Sequence, residues 1–490
     1  MYADATIGYD NWVFLHGSFR NDWTSILDPK NRSFSYPSVD ASAVLSDKLE
    51  LLKGGSISFL KVRVGYAGTG NVSLDNYKTL GVMGNIAAGT QVGGFSAQIP
   101  NYGAYAIYPI TTVASGFPFG SGPNSYTQSF TAVQNGLKPE HTQSLETGFE
   151  LGLFRNRVNL EATYYNQVSS NQTIPLQTSQ ASGIQTYVTN AGKINNSGIE
   201  LDLHLTPFLK FGDFRFDLDA NFAYQNSRVV NIAGGSALLD QINYGTTSLG
   251  GIYAIAGKSY PQILTTDFNR DPNGRIIVDG TTGLPSINPN PVDEGQANYK
   301  YFFGTSPHFS YKGVTLSAVF DYRGGAKILN EEGNVFDFAG ASISDAANRQ
   351  AFIIPNSVIN NGTAGHPNYA PNTNVPITSL NANASAALYW WTLIYSGVGA
   401  PYVTSAAFIK LREISLSYSI PKRLLGTQPI VKDLSVSLIG RNLFMWRPKT
   451  NIWSDPEFST NATGNAVGYT TEFQTPPTRI LSATISATIF

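Results

Sequence analysis

The sequence predicts an all-β chain, an antiparallel transmembrane β-barrel wall with long extracellular loops and short periplasmic turns. Three observations predict it. First, segments such as 406–420, 434–442 and 479–490 run 9 to 15 residues and mostly alternate apolar with polar or small side chains. About 9–11 tilted residues carry a strand across a bilayer. Second, charged residues are only 13% of the chain, while aromatics reach 12% and glycine occurs 47 times. A soluble domain is about one quarter charged, so this balance suits a wall that is greasy outside and turns tightly. Third, short turns alternate with connections of dozens of residues, as on the two rims of an outer-membrane barrel.

The same composition excludes other classes. Net charge is -1, so nothing points to nucleic acid, and the lack of cysteine excludes disulfides and thiolate metal sites. The best candidate for a membrane helix, 384–400 (ASAALYWWTLIYSGVGA), is uncharged but rich in Ser, Thr and Gly and sits at the lower length limit. It reads as an ordered loop. The opening MYADATIGYDNW has neither the basic region nor the apolar core of a signal peptide.

Taken in order, 6–9 and 12–20 read as short strands around the tight-turn pair Asp10-Asn11, followed by strands at 34–45 and 59–67. A long connection then runs from Gly68 to His141, without Asp, Glu, Lys or Arg over 79–137. The cleanest alternation follows. Leu145, Phe149, Leu151 and Leu153 share one face against Glu146, Gly148, Glu150 and Gly152. After Arg155-Asn156, Val158, Leu160, Ala162 and Tyr164 oppose Asn159, Glu161, Thr163 and Tyr165. Strands at 199–205 and 214–224 repeat the pattern across a turn placed at 206–213, with Glu200, Asp202, Asp217 and Asp219 on the polar face. Beyond a loop over 225–299, residues 301–311 and 314–322 form a hairpin around Lys312-Gly313. A loop over 323–405 leads to the three closing strands. Alternation slips between Leu411 and Ile414, which predicts a bulge at Arg412-Glu413.

Thirteen strands result. With the long loops outside, the first and last strands both run inward, and closing 13 strands would pair those two in parallel. Bacterial single-chain barrels have an even number of antiparallel strands. The odd count, the missing signal and a start beside a strand together predict the C-terminal part of a larger barrel.

Several stretches, in order, carry a family resemblance: LKPEHTQSLETGFELGLF (137–154), NRVNLEATYYNQ (156–167), NAGKINNSGIELDL (190–203), DYRGG (321–325), FIKLREISLSYSIPKRLL (408–425), GRNLFMW (440–446), DPE (455–457) and PPTR (476–479). Nearly the whole chain resembles the barrel of SusC/RagA-type TonB-dependent transporters. The resemblance implies about 13 strands of a 22-stranded barrel, in the outer membrane of Bacteroidota, with plug domain and TonB-contact segment outside this chain. It further implies a SusD-like surface lipoprotein as lid, outer-membrane lipid around the wall, import of oligosaccharides or peptides, and drive from TonB–ExbB–ExbD through the missing N-terminal part. Two departures are Ala43, where the family tends to have Trp, and Trp23, where Gly is usual. In the last strand Leu481, Ala483, Ile485, Ala487 and Ile489 lie on the face opposite Phe490, out of phase with the family's usual terminal aromatic.

Candidate sites follow from residue chemistry. Asp267, Asn269 and Asp271 in DFNRDPNGRIIVD offer oxygen ligands at alternate positions, as in a Ca²⁺ loop, but Pro272 and Val278 stand where an EF-hand needs Gly and Glu. Asn273-Gly274 equally signals a type I′ hairpin. No other cofactor is indicated. Tyr389, Trp390 and Trp391 lie in a long neutral loop, where aromatics can stack on a substrate or pack into the loop itself. Glu146, Glu150, Glu161, Glu200, Asp202, Asp217 and Asp219 read as lumen lining rather than as a glycosidase pair. The histidines lack ligand spacing, and no nucleophile elbow or phosphate loop occurs. The chain therefore reads as a transporter wall and not an enzyme. A β-rich surface adhesin or carbohydrate-binding protein is the alternative, and a surface glycoside hydrolase the third reading.

Overall fold

The computed structural model describes residues 1–24, 27, 29–50, 55–72, 91–92, 95–96, 111–114, 125–128, 131–177, 179–184, 186–232, 241–363, 365–426, 430–459, 467–471, 475 and 477–489. Phe490, and most of the neutral stretch 79–137, lie outside them.

Thirteen strands hydrogen-bond in chain order into one antiparallel sheet, as many as the alternation predicts. We number them β1 Tyr2–Tyr9, β2 Val13–Trp23, β3 Ser33–Val44, β4 Ile57–Asn71, β5 Glu140–Leu153, β6 Val158–Ser170, β7 Lys193–Phe211, β8 Phe214–Asn231, β9 Tyr301–Tyr311, β10 Val314–Gly324, β11 Phe408–Ser419, β12 Val431–Trp446 and β13 Ile480–Ile489. Most outrun the stretch that alternates. β7 extends to Phe211, so its connection is a tight turn at Gly212-Asp213 and not the eight residues expected. Polar residues such as Thr206 and Lys210 still fit a strand whose polar face meets water.

The short turns are set by residues that accept positive φ. Asp10 and Asn11 have φ 48° and 54°, and Lys312 and Gly313 have 46° and 86°, the pairing a type I′ hairpin requires. A Cβ on Gly313 would sit 2.9 Å from the Ser419 carbonyl oxygen, so close strand approach and backbone angle both ask for glycine there.

The chain divides into two compact units: Met1–Asp202 with Asn226–Ile242 and Ala256–Lys258, and Leu203–Gln225 with Asn243–Ile255 and Ser259–Phe490. In the first unit the register lines up Val13, Ala43, Val62, Phe149 and Ala162 across five strands as one apolar row. The other face is charged. Arg63 reaches across Gly148 to Glu161 (2.6 Å) and Thr163 (2.6 Å), while Glu150 accepts from Lys61 (2.9 Å) and Arg63 (3.1 Å). A Cβ on Gly148 would come 3.4 Å from the Arg63 guanidinium carbon and 2.5 Å from the Ala162 carbonyl oxygen. The missing side chain opens that path.

In the second unit Phe216, Phe309, Leu316, Leu416, Leu438 and Ala483 stand opposite one another from strand to strand. Phe216 and Phe309 stack with centroids 4.5 Å apart. The opposite face carries hydroxyls, with Ser317 bonded to Ser415 (2.6 Å) and Ser417 to Ser437 (2.8 Å). One greasy face and one wet face is the period-two signature of a membrane wall. The predicted bulge is present: Arg412 is skipped in the ladders to β10 and to β12.

Candidate ligand-binding site in the long loops

The long connections of the second unit are not irregular chain. A loop that long carries many backbone groups and much conformational entropy, and it stays ordered only by burying apolar surface of its own. Phe268, Val278, Leu284, Ile354, Ile377, Trp390, Trp391 and Val398 form one such core, and Leu249, Ile252, Ile263, Leu329 and Tyr402 another. Small sheets stitch them, for example Val358–Asn360 between Ile277–Val278 and Tyr369–Pro371.

In this core the aromatic triplet packs into the loop itself, the second of the two readings its sequence allows. Trp390 and Trp391 are 3% and 5% exposed. Trp390 stacks on Phe268 at 5.9 Å and meets Tyr395 at 5.5 Å, and the Trp391 indole N–H donates to the Asn348 carbonyl at 3.1 Å. Their rings are spent on the loop fold, and Tyr389 packs half-buried beside them. The segment is a short helix, Ala386–Tyr389, continued by a wider turn to Tyr395; among the described residues no helix is long and apolar enough to cross a membrane.

Asp267, Asn269 and Asp271 each have partners within the protein. Asp267 accepts from Arg270 (2.7 Å), Asn269 donates to Ser286 (2.8 Å), and Asp271 accepts from the Arg275 guanidinium and the backbone N–H of Asn273 and Arg275. Among the described residues no group of three His, Cys, Asp or Glu is placed to hold a metal ion. The strand reversal is a hairpin, but only Gly274 (φ 79°) is left-handed and Asn273 is not. It is therefore not the type I′ turn the Asn-Gly pair suggests; Pro272-Asn273 turn first and Gly274 closes.

The carboxylates expected to line the lumen lie along the wall. Glu150 and Glu161 belong to the Arg63 cluster, Asp217 pairs with Arg215 (2.7 Å), and Asp219 with His204 (2.6 Å). Glu146, Glu200 and Asp202 sit on strands β5 and β7.

Sequence reasoning missed two charged features. The first is a cluster at the β11 bulge. Lys410 bonds Asp455 (2.7 Å) and Glu457 (2.6 Å), Arg412 grips Glu457 and Asp321, and Arg323 reaches Glu457 at 3.1 Å. Three cations thus face three carboxylates, and the DPE segment is tied to the wall. The alternation slip located the bulge but gave no partner for it.

The second is the helix Glu331–Phe338, which buries Glu332 and Asp337. Gly333 makes this possible, since a Cβ there would stand 2.8 Å from the Trp453 ring and 2.9 Å from Tyr402. Asp337 accepts from the Tyr402 hydroxyl at 2.7 Å. Burial pushes both carboxyls above the usual range, because the charged form is poorly solvated there. Each lines a cavity: about 290 Å³ beside Glu332, and about 350 Å³ beside Asp337 with Asp345, Arg349 and Trp391. No sequence pattern marks these acids, since EEGNVFDF gives no period that buries them.

Comparison with known proteins bears on what the wall and loops belong to. The family described as "TonB dependent receptor-like, beta-barrel" matches residues 1–346. TonB-dependent receptor P26 of Formosa agariphila is 24% identical over 484 residues, 92% of this chain and 42% of the relative. TonB-dependent receptor P3 of the same organism is 21% identical over 459 residues, 89% and 40% of the two chains. The chain thus spans about two fifths of these curated relatives. Among solved structures, the RagAB peptide transporter superposes with TM-score 0.70 at 19% identity, over 99% of this chain and 46% of the other. A RagAB peptide importer in its 'closed-closed' state gives 0.68 at 19%, over 99% and 47%. These likenesses are of fold.

Proposed function

The chain belongs to the TonB-dependent receptor family of outer-membrane β-barrels, and from that premise we propose that it forms wall and ligand-binding loops of a nutrient importer taking up oligosaccharides or peptides. The carrying observation is that the loops of the second unit hold their own cores and leave cavities lined by buried carboxyls. A merely connecting loop needs neither. In this reading Glu146, Glu150, Glu161, Glu200, Asp202, Asp217 and Asp219 line the watery side of the wall, and the apolar rows meet lipid.

Two partners complete the proposal. A SusD-like lipoprotein covers the loops, supported by apolar side chains such as Phe338, Ile343 and Leu393, which are 57%, 76% and 56% exposed outside the wall strands. TonB–ExbB–ExbD supplies the drive, acting on the whole transporter. The likeness to the RagAB peptide transporter makes peptides, ahead of oligosaccharides, the first substrates to try. The test is recovery and binding. The chain should require detergent for extraction from outer membranes and should bind members of a peptide and oligosaccharide panel. Recovery in the aqueous phase without detergent, or no binding across the panel, overturns the reading.

A further inference from the structure

The helix Glu331–Phe338 is inside out. Glu332 and Asp337 are 8% and 1% exposed, while Val335 and Phe336 stand at 38% and 45%. Burying acids and exposing aromatics costs free energy on both counts, so the helix is placed for something other than its own stability. On one flank the cavity of about 290 Å³ is walled by Phe336, Trp453 and Phe458, with Glu332 and Asp455 as its acids and Ser454, Thr471 and Thr475 as its hydroxyls. Phe336 and Trp453 stack at 6.2 Å.

The charges in this cavity are one-sided. Asp455 is already held by Lys410 at 2.7 Å, whereas Glu332 has no ion-pair partner among the described residues: only the Thr470 and Ser454 hydroxyls stand by its carboxyl, and its buried Oε2 makes no well-formed hydrogen bond. Among the described residues no Lys or Arg lines the cavity. Arg447 acts on Glu332 only through its charge, and its guanidinium donates to the Ser454 and Ile452 carbonyls. An anion is therefore repelled. A neutral hydroxyl could satisfy one lone pair but would use neither the negative charge nor the aromatic faces as a pair. A cation uses both, because aromatic faces attract positive charge and a desolvated carboxylate attracts it more strongly than in water. The volume is at the small end of the roughly 300–1,000 Å³ that whole ligands occupy. It suits one side chain.

We propose that this cavity receives an ammonium or guanidinium group on an aliphatic stem, as carried by a lysine or arginine of a peptide, with Glu332 as its counter-ion. The proposal rests on the reading of the loops as ligand-binding and narrows their substrates to basic peptides.

The test uses the full chain in lipid nanodiscs, titrated calorimetrically with Gly-Lys-Gly, Gly-Gln-Gly and N-acetylglucosamine. Gly-Lys-Gly should bind at least about tenfold more tightly than Gly-Gln-Gly, a difference of about 1.4 kcal/mol. Glu332→Gln should remove that preference while its melting temperature stays unchanged, and Phe458→Ala, at a 39% exposed position, should weaken Gly-Lys-Gly severalfold. Equal affinity for the two tripeptides, or full affinity in Glu332→Gln, overturns the assignment. If Glu332→Gln does not fold, the tripeptide comparison and Phe458→Ala still decide. Binding of the neutral tripeptide or the sugar without preference for lysine sinks only the cation assignment; no binding of any of the three sinks the ligand-binding reading as well.

Discussion

Arg412 donates to both carboxylate oxygens of Glu457, with each of the two bonds 2.6 Å long. The pairing exists because the bulge in β11 takes Arg412 out of both ladders and turns it toward the loop. A bulge re-aims a side chain in this way at the rim of a sheet. Removing one partner of a partly buried ion pair leaves the other uncompensated, at a cost of about 3 kcal/mol. Arg412→Ala should therefore free the 455–457 segment, read as faster hydrogen exchange there with exchange in β10 and β11 unchanged. Equal protection in variant and parent would show that Lys410 and Arg323 suffice to hold the loop.

The same cluster sets a pH window. Burial by itself would raise the Glu457 carboxyl, but the hydrogen bonds and charges of Arg412 and Lys410 outweigh it and hold the group at about 2, below its ordinary 4.5. A carboxyl lowered by folding adds stability that is fully present above the ordinary value and is lost as pH falls toward the folded one. Proteolytic cutting near 455–457 should be flat from pH 7 to 5 and should rise below about 4.5. Glu457→Gln should abolish the step, and a rise already between pH 7 and 5 would assign the latch to another group.

Trp390 makes a separate prediction about the loops. A buried indole removed from a packed core costs about 3–5 kcal/mol. Trp390→Ala should lower the loop domain's melting transition and leave the strand signal in circular dichroism intact. Trp391→Phe should cost only about 1 kcal/mol, the worth of its hydrogen bond to Asn348. Direct stacking on substrate would instead show as lost binding without lost stability.

In the wall, Glu150 and Glu161 stand directly opposite each other, and like charges so placed repel. Arg63, bonded to both, relieves that. Arg63→Ala should destabilise by no more than about 1 kcal/mol, since these side chains are about one third or more exposed. Adding Glu161→Gln should recover part of the loss in the double variant, as measured in urea.

Some of this fold is legible in the residues alone and some is not. Period-two alternation is a local signal, so all 13 strands, the Asp10-Asn11 and Lys312-Gly313 turns and the bulge at Arg412 can be read from the chain itself. Strand ends cannot, because pairing carries polar residues such as Lys210 into β7 after alternation stops. The loops are the least legible. Trp390 closes on Phe268 and Phe352, partners far away in the chain, and no spacing within 384–400 reveals them. Glu332 and Asp337 lie in a helix too short for a period to emerge, and their burial depends on Gly333, Trp453 and Tyr402. Local chemistry suggests oxygen ligands at Asp267 and Asp271 because the arginines that occupy them, Arg270 and Arg275, look like any exposed charge until folded.

A loop domain with its own cores, held to β10 and β11 by a handful of ionic bonds, is a replaceable part. Its surface can change residue by residue without disturbing the apolar rows of the wall, since packing within the loops and pairing within the wall draw on different side chains. Conversely, moving the part intact means moving residues 243–299, 326–407 and 447–477 together with the receiving set Asp321, Arg323, Lys410 and Arg412, because both cores draw on all the loops.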